Sequence, residues 1–155
     1  MSIKDIVTKQ YRDIVNGVAR QIHDVTSPRE GWLCTARKSL EMSGAQLGRR
    51  LGVTRAQISK TEKNELSGSV TIKTMQHMAE AMECRFVYAI VPEKTIEEII
   101  EKRAEMKAKE IVEQTDKHMA LEDQTLSPVQ REFEIQRLTK EMIAKLPVDF
   151  WEDKR

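Results

Sequence analysis

Between Met42 and Lys63 the chain reads MSGAQLGRRLGVTRAQISKTEK. Leu47, Leu51 and Ile58 recur at helical spacing, yet Gly52-Val53-Thr54 interrupts the run. Ser43 with Gln46 and Thr54 with Gln57 each have the pattern of a capping box, in which a hydroxyl and a glutamine satisfy free amides at a helix start. Gly52 supplies the left-handed residue that ends a helix. Val53 can tuck beneath the turn, and Thr54 starts the next helix. Two short helices separated by a corner of about three residues are the plan of a helix-turn-helix.

The surroundings agree with that plan. The chain has 155 residues, 39% hydrophobic and 33% charged, with 6 Gly and 4 Pro, which favours an all-α protein with much solvated surface. Net charge is only +1, but it is unevenly spread. Pro28–Asn64 holds eight Lys/Arg against three Glu, whereas Glu93–Gln124 holds six basic and ten acidic residues. Opposite signs in the two stretches suggest different partners. No apolar run reaches membrane-spanning length, and the amino-terminal residues do not read as a secretory signal. Cys34 and Cys84 lack CxxC spacing and read as buried free thiols in a reducing cytoplasm.

Outward from the corner, residues 3–25 predict an amphipathic helix with Ile3, Ile6, Val7, Tyr11, Ile14, Val18, Ile22 and Val25 on its apolar side. Ser27, Pro28 and Glu30 read as a cap for a second helix presenting Trp32, Leu33, Ala36 and Leu40. Thr71–Met82 predicts a helix with Ile72, Met75, Met78, Ala79 and Met82 inward. Arg85–Val91 favours one short strand, either paired with its counterpart in a second subunit or lying as a buried extended segment. Thr95 and Glu98 open a long helix to about Gln124, striped by Ile96, Ile99, Ile100, Ile111, Val112, Thr115, Met119 and, less regularly, Met106. Ser127-Pro128 starts the last helix, with Phe133, Leu138 and Met142 on one side. The expected division is 1–27, an amino-terminal helix; 28–92, the helix-turn-helix with its strand; and 93–155, a helical extension for dimerisation or partner binding.

On the helix after Thr54, the residues Arg55, Ala56, Ser59, Lys60 and Lys63 should face outward. Arg can grip guanine, Lys and Ser can bond base edges or phosphates, and Ala can touch a thymine methyl. The capped helix start at Ser43 offers free amides to a phosphate. Arg49, Lys63 and Lys73 could add backbone contacts. The histidines share no metal-ligand spacing, and no phosphate loop or nucleophile motif occurs, so neither a metal, a cofactor nor an enzyme is expected.

Residues 31–83 resemble the Xre/Cro-type helix-turn-helix of bacterial and phage repressors, through MSGAQLGRRLGVTRAQISKTEK and TIKTMQHMAEAM. More narrowly, GWLCTARKSLEMSGAQLGRRLGV, TIKTM, CRFVYAIVP and MALEDQ are similar to the mobile mystery protein A family. The wider resemblance implies a lambda-repressor-like core. It implies that Ser43, Gly44, Gln46 and Thr54 contact the DNA backbone while Arg55, Ala56, Ser59 and Lys60 read bases. Gly44 departs from the Gln common in the family. It also implies an ion pair between Arg37 and Glu62. The narrower resemblance implies a neighbouring Fic-domain protein, mobile mystery protein B, and a toxin–antitoxin-like module in the cytoplasm. TSPREG, Thr26 to Gly31, formally matches a pattern of some Fic inhibitors, but Pro28 and the cap reading account for those residues. The chain is therefore expected to be a homodimeric repressor binding a double-stranded operator near its own gene. The alternative is an antitoxin that acts mainly by binding a Fic-family partner. Phe150 and Trp151 are the candidate anchor for such a partner, unless they fold back onto the protein's own core.

Overall fold

The computed structural model describes residues 1–153. Among them are seven helices: α1 (Ile3–Ile22), α2 (Trp32–Ser39), α3 (Gly44–Leu51), α4 (Arg55–Ser67), α5 (Ile72–Ala81), α6 (Ile96–Ala120) and α7 (Pro128–Ala144). The all-helical class holds. Compactness, however, divides the chain into two units rather than three successive parts. One is Asp24–Ala89; the other joins Met1–His23 to the chain from Ile90 onward.

The expected strand is absent among the described residues. Arg85–Val91 makes no ladder, and Val87, Tyr88 and Ile90 are exposed, so the segment is not buried either; only Phe86 packs against the core. Valine, isoleucine and aromatic residues favour strands because they fit a half-buried pleated surface, and the described chain offers no second strand to build one.

In the Asp24–Ala89 unit, Leu33, Leu47, Ile58, Met75, Met78 and Met82 form the core. The methionines fill it, as unbranched flexible side chains do. Trp32, Leu40 and Ile72, expected on the apolar faces, are nearly half exposed. The predicted cap at Ser27 does not form. Helix α2 starts four residues after Pro28, with Gly31 at its N-cap in an extended conformation of positive φ (86°). Its free amides are satisfied from a distance: Trp32 N donates to Glu65 Oε2 at 2.7 Å and Leu33 N to Glu65 Oε1 at 2.8 Å. A side chain at Gly31 would come within 3.0 Å of that carboxylate. Cys84 is exposed rather than buried, and both cysteines are free.

The other unit is built on the α6–α7 hairpin. Its seam is Ile100, Ala104, Ala108 and Val112, every fourth residue of α6, facing Ile135, Leu138 and Met142 of α7. Alanine lets the two backbones approach closely, so the buried line keeps Ile100 and Val112 of the expected stripe, with Ile96 packed against it, and adds the alanines, while Ile99 and Ile111 remain exposed. Phe133 also lies outside, beside Val129. Past α7 the chain turns back, and Phe150, 1% exposed, plugs the seam. Arg103 fixes that turn through Phe150 O at 2.9 Å, Asp153 at 2.8 Å and Glu152 O at 3.1 Å, while Lys107 donates to Asp149 O at 2.6 Å.

Helix α1, opened by a Ser2–Asp5 capping box, is attached through its second half. Asn16, buried, accepts from Ile96 N at 2.9 Å and donates to Glu97 at 2.8 Å, adding to the expected Thr95 cap, which accepts from Glu98 N at 3.2 Å. Ala19 is buried with it, whereas Ile3, Ile6, Val7, Tyr11 and Ile14 are exposed. The first half of the apolar side expected to face a core therefore faces outward, whereas Val18 and Ile22 are half-buried. One free amide at the start of α6 holds this helix through its asparagine.

Candidate nucleic-acid interface

Both capping boxes at the corner form. Gln46 N donates to Ser43 Oγ at 3.0 Å, and Ser43 N donates to the Gln46 side chain at 2.8 Å. Thr54 and Gln57 repeat this at 3.1 and 3.0 Å. Gly52 is left-handed, at φ 70°. Val53 N reaches back to Gly48 O at 2.8 Å, closing α3, but its side chain stays exposed. Gly48 makes the tightest approach: a β-carbon there would lie 2.6 Å from the Val53 carbonyl oxygen. A glycine in mid-helix is thus explained by the backbone crossing over it.

Leu47 and Ile58, 0% and 1% exposed, lock α3 and α4 together from inside. The starts of the two helices consequently lie side by side. At Gly44 an added β-carbon would be in ordinary contact with Arg55 Cγ, 3.5 Å away. The residues assigned to phosphate, Ser43, Gly44 and Gln46, are therefore brought next to the first residue assigned to base reading. Ser43, Gln46 and Thr54 use side-chain atoms in their caps, which orients the helix amides they leave free.

Arg55, Ala56, Ser59, Lys60 and Lys63 are all exposed on α4. At about 100° per residue they fit within an arc of roughly 140° that carries three cations and no acid. The two acids of α4 are turned inward, and each is engaged with α2. Glu65 caps it. Glu62 pairs with Arg37, whose Nε and Nη2 donate to the carboxylate at 2.6 and 3.2 Å and whose Nη1 donates to Met42 O at 2.9 Å. Both side chains of the pair are 14% exposed. Its hydrogen bonds hold the Arg37 guanidinium above its already high ordinary pKa. Burial, with Glu62 nearby, pushes the Cys34 thiol up, away from a reactive thiolate. Arg49 and Lys73 are exposed, Lys73 in the first turn of α5. Arg50 is not free in the same way, since its Nε donates to Ala81 O at 2.6 Å and fixes the end of α5.

Gly48, Glu65 and Arg50 escaped sequence reasoning. A glycine inside a helical pattern was the available signal for Gly48. Nothing local marks Glu65 or Arg50, because their partners lie 33 and 31 residues away. Phe150 belongs to the hairpin core, while Trp151 is 57% exposed, edge-on to Phe150, with the Arg103 guanidinium 5.8 Å from its ring.

This arrangement defines a DNA-binding helix-turn-helix. Residues 35–88 match the Helix-turn-helix family, a little over a third of the chain, and they form an Xre-type domain. That family comprises DNA-binding regulatory domains and is not a family of enzymes. Neither the curated proteins nor the solved structures contain a match to the chain. No helix among the described residues is long and apolar enough to cross a membrane.

Proposed function

We propose that this protein is a cytoplasmic, sequence-specific transcriptional regulator that binds, as a homodimer, an operator near its own gene and represses it. The observation that carries this reading is the acid-free arc of α4 beside the capped start of α3. An exposed face with three cations and no carboxylate enters a major groove without repelling phosphates, and the adjacent helix start fixes its register on the backbone. Arg55, Ala56, Ser59 and Lys60 read bases; Ser43, Gly44, Gln46, Arg49, Thr54, Lys63 and Lys73 meet the backbone. Selection from a random duplex pool, followed by titration of the selected sequence, tests it. The expected product is a palindrome with half-sites about 10 base pairs apart or a multiple of that. A pool that stays random after selection would remove the reading.

A second reading adds a toxin–antitoxin-like module in which the hairpin unit holds a Fic-domain protein. It rests on the resemblance to mobile mystery protein A and is favoured by the acidic surface of α6 and the exposed Val129 and Phe133 of α7. Trp151 can contribute to such a surface; Phe150 is already engaged in the core. Co-expression with a neighbouring Fic-domain protein should yield a complex that co-purifies, and its absence leaves the repressor alone.

A further inference from the structure

We infer that the outward stripe of α1 is a self-association surface on which a second copy of the chain lies antiparallel, α1 against α1. This rests on the homodimer proposed above and gives it a location. Ile3, Val7, Tyr11, Ile14, Val18 and Ile22 follow one another at intervals of four, four, three, four and four. That series reads the same from either end. Two copies related by a twofold axis between Tyr11 and Ile14 therefore set Ile3 against Ile22, Val7 against Val18 and Tyr11 against Ile14, apolar on apolar in every layer. Such self-complementarity is the requirement of a twofold interface, in which each residue meets its counterpart reciprocally.

Charge placement agrees. Asp5, Lys9, Arg12, Asp13 and Arg20 all project more than about 120° away from the stripe's midline. Lys4 alone stands at its rim, opposite the neutral Gln21 of the second copy. The area is that of a small interface. Ile3, Val7, Tyr11 and Ile14 are 81%, 40%, 68% and 64% exposed, the equivalent of about two and a half whole side chains. That is roughly 400 Å² per copy at the size of a large apolar side chain, and the part-exposed Val18 and Ile22 bring the pair toward the roughly 1,000 Å² at which specific interfaces begin. Val18 and Ile22 are half-buried and complete the far end.

The test uses the full chain. Sedimentation equilibrium at micromolar concentration should show a dimer, and Ile14→Asp should weaken it by about tenfold or more with an unchanged melting curve. Register is read separately, in a Cys34→Ser, Cys84→Ser background. Val7→Cys mixed with Val18→Cys should oxidise to a mixed disulfide, while neither should cross-link to itself. A monomer at every concentration, an Ile14→Asp chain that dimerises as well as the parent, or self-linking of Val7→Cys would overturn the inference. Should Ile14→Asp fail to fold, the cross-links decide. Binding of a single half-site is followed alongside: a monomeric variant that still binds it isolates failure of this surface from failure of the DNA-binding reading.

Discussion

The carboxylate of Glu65, on α4, lies 2.7 Å from the backbone nitrogen of Trp32 and caps α2 from another helix. No local residue does this, since the N-cap is Gly31 and makes no side-chain hydrogen bond. Glu65→Ala should orphan two amides and cost on the order of 1–2 kcal/mol in urea unfolding. Operator affinity should change little when measured on the folded protein, because Glu65 faces away from the basic arc. Equal stability of the variant and the parent would show that water caps the helix as well.

Arg37 and Glu62 form a largely enclosed pair, so removing either alone leaves a charge without its counter-ion. Arg37→Ala and Glu62→Ala should each cost about 3 kcal/mol. Replacing both together, with Arg37→Met and Glu62→Leu, should cost much less than the two single changes combined. A double-mutant cycle reads the coupling, and additive losses would contradict the pairing.

Two glycines of α3 should respond differently. Gly48→Ala drives a methyl into the Val53 carbonyl and should cost about 1–3 kcal/mol. Gly44→Ala meets only ordinary contacts at 3.5 and 3.9 Å and should be tolerated. Thermal melts of the two variants check this directly.

The corner, its two caps and the outward residues of α4 are legible in the sequence because each is encoded within four residues. The features that escape are non-local or chemically quiet. Alanines 104 and 108 carry no hydrophobic emphasis, yet they form the seam because they are small. The apolar residues of α1 predict a buried side, but attachment through Asn16 to the first amide of α6 leaves Ile3 to Ile14 exposed. At Arg85–Val91 the residues favour a strand, and a strand is not a property of one segment.

On DNA, Arg55→Ala should cost roughly 1–3 kcal/mol on the preferred operator and relax base choice at one position. Lys63→Ala should weaken all duplexes alike and flatten the salt dependence by about one unit. Titrations over a salt series separate the two. Identical losses on operator and random DNA for both changes would show that Arg55 reads no base.

Asp116 should give the hairpin unit an acid dependence. The Leu126 amide at 2.9 Å, joined by the Arg131 guanidinium, holds its carboxyl below the ordinary carboxylate value. A group depressed in the folded state contributes stability above its unfolded pKa and loses it as pH falls through the folded one. Melting temperature should therefore drop below about pH 4, and more steeply in the parent than in Asp116→Asn. Parallel pH profiles would mean that the α6–α7 loop is held by other contacts.

The division of the chain has a consequence for its synthesis. Residues 24–89 are contiguous and can fold as soon as they leave the ribosome, whereas the other unit needs both Met1–His23 and the chain beyond Ile90. Helix α1 therefore emerges first and waits with its asparagine unengaged until α6 appears some eighty residues later. The hairpin closes last, when Phe150 arrives. A nascent chain stalled between those points carries a complete helix-turn-helix and an incomplete second unit, so premature termination yields a fragment that keeps the corner without the hairpin.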